Sequence, residues 1–189
     1  MKRILVTGAN KGIGLATVEN LLQNHPDTFL ILGSRDEKRG DEAVRLLTSK
    51  EPKWADRLMM LAIDVSSDES VTMAAETVAS SFEADAKPLF GIINNAGIGS
   101  SSIGLEPTLQ VNTWGIHRVC EAFVPLLEAS GRIVNVTSAA GPNFVEAADD
   151  VTRTMLTDPD VSWDTLEEYM NRCISESKDS ASTTSGLGN

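Results

Sequence analysis

A Rossmann-type α/β fold, a doubly wound parallel sheet with strand order 3-2-1-4-5, is the class this 189-residue chain predicts. Three observations point to it. Short apolar runs alternate with helical stretches along residues 3–137, the pattern of successive β-α-β units. The runs are apolar almost throughout, as strands are when helices cover both faces of a sheet. The first run leads through a glycine-rich turn into a helix, and right-handed crossovers from there build the sheet outward in both directions.

The elements follow in order. Residues 3–7 are strand one, and residues 12–24 a helix with Ile13, Val18, Leu21 and Leu22 at inward spacings, ending near His25-Pro26. Residues 28–33 are strand two, and 37–50 a helix with Ala43, Leu46 and Leu47 inward. Residues 57–63 form strand three, 67–83 a helix, 88–94 strand four, 106–129 a long helix and 131–137 strand five. After Ser138 the chain turns small and acidic, with Pro142 and Pro159, until a helix over 162–178 that Ser162 can cap. The last residues, rich in Ser, Thr and Gly, read as a flexible tail over 181–189.

Composition narrows the function. Sixteen basic against 27 acidic residues give a net charge of −11, which repels nucleic-acid phosphates, so nucleic acid is not an expected partner. Cys120 and Cys173 lie in no Cys-x-x-Cys pair, and His25 and His117 are far apart in the sequence. They read as reduced thiols and ordinary histidines, and no metal site is expected. Ile4-Leu5-Val6 is too short for a signal peptide, and no run reaches membrane-spanning length. A soluble cytoplasmic protein, without membrane contact, is the expectation.

Four sites carry chemistry. Gly8-x-x-x-Gly12-x-Gly14 sits between a strand and a helix. Residues without a β-carbon there let a pyrophosphate approach the backbone, and the helix end offers free N–H groups. Arg35 after strand two and Lys11 in the turn would pair with a ribose 2′-phosphate, favouring NADPH; ordinary solvated charges, or neutralisation by Asp36, are the alternatives. Asp64-Val65 closes strand three and suits an adenine, or a plain turn-capping Asp. Asn112 is a polar residue inside an apolar helix, and Ser138 follows strand five at the ligand-binding end of the sheet.

Taken together, these residues resemble the short-chain dehydrogenases/reductases, most closely their carbonyl reductases. The matching motifs are residues 7–14, Ser34-Arg35-Asp36, Asp64-Val65, Asn94-Asn95-Ala96-Gly97, Val111-Asn112 and residues 131–138. The resemblance implies that Gly8, Asn10, Lys11, Gly12, Ile13 and Gly14 hold the cofactor phosphates. It also implies that Arg35 selects NADPH, that Asp64 and Val65 meet the adenine, and that Asn94, Ala96 and Gly97 line the ribose side. Ser138 would bind the carbonyl of an aldehyde or ketone, and Asn112 would position a water. Residues 1–140 then form an NADP-binding domain, and 141–180 resemble a helical insertion that keeps such reductases monomeric.

The resemblance stops at one point. The family's proton donor is a Tyr with a Lys four residues on, whereas the sole tyrosine here, Tyr169, is followed by Cys173. The chain therefore reads as truncated before that motif, with a sheet incomplete on its C-terminal side. Ile133, Val134 and Val136 would be an exposed apolar edge, and helix 106–129 would lose a covering partner. Three functions stay open: a reductase weakened by the missing pair, a non-catalytic NADP-binding module, and an unstable fragment.

Overall fold

The computed structural model describes the backbone of residues 1–99 and 103–185, with side chains to Lys178. Five parallel strands run β1 (Lys2–Val6), β2 (Thr28–Ser34), β3 (Leu58–Ala62), β4 (Leu89–Asn94) and β5 (Leu127–Asn135). Their order is β3-β2-β1-β4-β5, as the alternation predicts. Helices α1 (Gly12–Asn24) and α2 (Glu37–Lys50) cover one face, where Val18, Leu22, Ala43 and Leu47 pack on Val6, Leu30 and Leu32. Helices α3 (Asp68–Ser81), α4 (Leu105–Asn112) and α5 (Trp114–Phe123) lie on the other, where Val71, Val78, Val119 and Phe123 meet Leu5, Ile31 and Ile92. Each fully buried aliphatic side chain contributes about 1.5–3 kcal/mol of hydrophobic free energy. Arg57 locks the edge by donating to the carbonyls of Leu22, His25 and Thr28, which terminates α1.

Several elements differ from the sequence pattern. Ile13 and Leu46 were expected inward, yet both are exposed; Ile13 sits at the start of α1 over the glycine turn. The stretch 106–129 is not one helix. Thr113 leaves the helical region, with φ −123° and ψ −64°, and separates α4 from α5. Pro125, which has no N–H to donate, stands in a short 3-10 turn, Val124–Leu126, and β5 begins at once. The small, acidic stretch after Ser138 contains two short helices, α6 (Ala140–Ala147) and α7 (Asp150–Thr157). Asp149 caps α7 by accepting from the Thr152 amide at 2.9 Å.

Helix α8 (Trp163–Ser185) runs past the residues whose composition reads as a tail; residues 186–189 lie outside the described residues. It also corrects the expected bare patch. Met170, Ile174 and Trp163 pack on Trp114, Leu105 and Leu109. The Trp114 indole donates to Glu167 at 2.8 Å, and Lys178 pairs with Glu106 at 2.7 Å. The α4–α5 face is thus covered from within the chain. Strand β5 is the opposite case: Ile133, Val134 and Val136 are 41%, 50% and 42% exposed at the sheet edge.

Candidate functional site

The site starts where β1 ends. Gly8 and Gly12 take left-handed backbone, φ 62° and 57°, which glycine alone adopts without strain. A β-carbon on Gly8 would stand 2.7 Å from Ala96 Cα, and one on Gly14 would stand 2.7 Å from the Gly8 carbonyl. The turn is fastened to the loop after β4. Thr7 Oγ1 accepts from the Asn95 and Ala96 amides, both at 3.1 Å, while Asn95 Nδ2 donates to the carbonyls of Thr7 and Gly8. Lys11 occupies the N-cap of α1 without a side-chain cap bond, and the first turn has no acidic residue. The leading N–H groups of α1 keep their positive end free for an anion.

Cations gather at the far rim. The Arg35 guanidinium stands 4.0 Å from Asp64 Oδ2, and that of Arg39 stands 3.5 Å from Asp36 Oδ2. Both side chains are largely exposed, so these pairs hold them weakly and leave them able to turn to a phosphate. Asp36 also caps α2 through the Arg39 amide. Asp64 takes the turn-capping alternative: its Oδ1 accepts from the Ser66 amide and hydroxyl in a tight turn, while Oδ2 faces Arg35.

These groups enclose a cleft of about 410 Å³. Gly8, Asn10, Lys11, Gly12, Ile13, Gly14, Arg35, Asp64, Val65, Ala96 and Gly97 all line it. So do Arg39, Ile63 and Ile98, which the sequence reading passed over, and Asn95 and Val111, which it named within motifs but gave no place at the cofactor. Arg39 was discoverable, since it lies one helical turn beyond Arg35 at the start of a predicted helix. For Asn95 a tie from its loop to a neighbour was legible, but not which neighbour, a turn more than eighty residues away.

Three expected residues lie off the cleft wall. Asn94 is buried behind it, donating to Asn135 Oδ1 at 2.9 Å and to Cys120 Sγ at 3.7 Å. It ties β4 to β5 and α5 instead of facing a ribose. Among the described residues its buried Oδ1 has no hydrogen-bond partner. Burial pushes the Cys120 thiol up, with the Asn94 amide working the other way. Asn112 clamps the cleft wall from behind: its amide donates to the Ile98 carbonyl and accepts the Ile98 amide, both at 2.9 Å. Ser138 follows β5, and its Oγ accepts from the Ala140 amide at 3.2 Å. Tyr169 belongs to α8 and does not line the cleft; burial and its Cys173 neighbour hold its hydroxyl above the usual range.

A family model described as short chain dehydrogenase matches residues 2–148. The chain belongs to this oxidoreductase family. The mitochondrial D-beta-hydroxybutyrate dehydrogenase of Bos taurus is 36% identical over 149 residues, covering 74% of this chain and 42% of that protein. Carbonyl reductase (NADPH) 1 of Rattus norvegicus is 27% identical over 194 residues, covering 98% of this chain and 66% of that protein. The NADPH-bound carbonyl reductase from chicken fatty liver superposes with a TM-score of 0.63 at 30% identity, over 75% of this chain and 61% of that one. This short-chain dehydrogenase thus spans less than two thirds of the length of these relatives. Among its described residues no helix is long and apolar enough to cross a membrane, and no group of three or more His, Cys, Asp or Glu could hold a metal.

Proposed function

We propose that this short-chain dehydrogenase binds NADPH and that its chemistry is the reduction of aldehydes or ketones to alcohols. The observation that carries the reading is the arrangement of anion-binding groups at two places in one cleft. An uncapped helix end lies at the glycine turn, and Lys11, Arg35 and Arg39 line the same cleft. A dinucleotide with a pyrophosphate and a further ribose phosphate matches that arrangement. The names of the rat and chicken relatives support the same reading.

NADPH, when bound, supplies a hydride to the carbonyl carbon. The glycine turn and α1 would hold the pyrophosphate, and Asp64 and Val65 would border the adenine. Asn112 keeps Ile98 and the cleft wall in place. The Ser138 hydroxyl, whose oxygen already accepts a backbone bond, still has its proton to donate to a carbonyl oxygen. Among the described residues no tyrosine–lysine pair lines the cleft. We place the protein in the cytoplasm, acting on a small-molecule carbonyl compound.

One observation favours a second reading, a non-catalytic NADP-binding module: Tyr169 sits on α8, outside the cleft. Calorimetric titration with NADPH and NADH, together with an assay of ketone-dependent NADPH oxidation, separates the two. Binding with measurable oxidation supports a reductase; binding without it supports the module. A broad thermal transition that NADPH leaves unmoved supports an unstable fragment and removes both. The intact mass of the native protein comes first. A mass above 20.3 kDa, with Tyr-x-x-x-Lys in the added sequence, would make it a full reductase.

A further inference from the structure

We infer, on the reading of the cleft as the cofactor site, that Glu167 is a positioning residue for it and that α8 thereby sets nucleotide affinity from outside the cleft. Residues 111–115 connect the two. Val111 lines the cleft. Asn112 holds Ile98, another lining residue, through both the amide and the carbonyl of its side chain. Thr113 breaks the helix, so the residues on either side of it face different surfaces. Trp114 is buried, and its indole donates to Glu167 Oε1 at 2.8 Å. Gly115 lies against Val65, a third lining residue: a β-carbon on Gly115 would stand 2.9 Å from Val65 Cγ2. The side chain that α8 grips therefore stands between the residue that clamps Ile98 and the residue that bears on Val65.

The break is weakly held by its own backbone. Thr113 gives α5 no side-chain cap, and α4 is only eight residues long. The Glu167 carboxylate supplies a charged acceptor at this point, which bonds more strongly than a neutral one. Helix α8 is fastened around it as well. The Trp163 ring stacks on His117 of α5, with centroids 3.7 Å apart and planes 14° apart, and Lys178 pairs with Glu106 of α4 at 2.7 Å. The apolar cluster beneath, Trp114, Met170 and Ile174, shares no residue with the two clusters on the faces of the sheet. Helix α8 can therefore loosen while the sheet stays folded. What it releases is the cleft wall at Ile98 and Val65.

Calorimetric titration of the 189-residue chain with NADPH and with NADH, together with amide exchange followed by NMR, tests this. Glu167→Ala is expected to weaken both cofactors by about fivefold, and to lower the protection of the Ile98 amide, which donates to Asn112 Oδ1, by a similar factor. The Ala9 amide at the glycine turn, bonded to the Gly33 carbonyl, is expected to keep its protection. Trp114→Phe keeps a ring in the cluster but removes the donor, and is expected to act as Glu167→Ala does. Glu167→Gln keeps an oxygen that accepts the indole N–H, and is expected to hold both readings within about twofold of the parent. Because such coupling is reciprocal, saturating NADPH is expected to slow exchange at the Met170 amide of the parent.

Parent-like protection of Ile98 in both Glu167→Ala and Trp114→Phe would overturn the proposal. So would equal falls at Ile98 and Ala9, the mark of general destabilisation, a Glu167→Gln that behaves as Glu167→Ala, or a Met170 amide that NADPH leaves unchanged. Ile98 reports on α8 without any cofactor, which keeps the two readings apart. A parent that binds neither nucleotide removes the cofactor site and this proposal with it. Binding in the parent with unchanged affinity in the variants removes the proposal alone.

Discussion

Gly8 shows how narrowly single positions determine the cleft. An alanine there would hold a left-handed backbone and press on Ala96, so Gly8→Ala costs about 1–2 kcal/mol in conformation before any clash. Its melting temperature falls, and isothermal titration shows NADPH binding lost. Asn112 is a positioning residue. Asn112→Ala removes two bonds to Ile98, a loss of about 2 kcal/mol that urea unfolding can read, and it weakens both nicotinamide cofactors alike. Arg35→Ala and Arg39→Ala do the opposite. Each weakens NADPH by about tenfold or more, from loss of a charged hydrogen bond, and leaves NADH nearly unchanged. Equal losses for the two cofactors would remove the 2′-phosphate assignment.

At the scale of elements, α8 and α7 make different predictions. Helix α8 docks through a small cluster of its own, centred on Met170, Ile174 and Trp114. Met170→Ala is expected to cost about 2 kcal/mol, the lower end for a buried methionine, because the site lies near the surface. Loosening α8 exposes Trp114 and Trp163, so tryptophan emission shifts to the red while Trp54, packed on the other face of the sheet, is unaffected. Helix α7 depends on its cap. The Asp149 carboxyl is held below the ordinary aspartate value, first by the Thr152 amide and then by the Thr152 hydroxyl. A depressed pKa means the cap contributes fully above the unfolded value and is lost as pH falls through the folded one. The protection factor of the Thr152 amide, taken against its intrinsic exchange rate at each pH, should therefore fall on acidification in the parent and be low already in Asp149→Ala.

The whole molecule is a sheet with one guarded side and one bare side. The β3 edge is backed by α2 and the 3-10 turn that holds Arg57, whereas the β5 edge presents apolar side chains to solvent.

The strand order and the grouping of eleven of the twelve residues expected at the cofactor around one cleft were legible because they rest on local signals: apolar runs of strand length, glycines at a turn, a cation one residue past a strand. Tertiary structure decided the rest. Asn94 and Asn95 are adjacent and chemically identical, yet strand pleat sends one behind the sheet to Asn135 and the other to the turn at Gly8. The break at Thr113 and the fold-back of α8 over α4–α5 depend on packing between segments about fifty residues apart. Backbone propensity records what a residue prefers beside its neighbours; it holds no record of which distant surface will cover it, and that surface fixes where each polar group points.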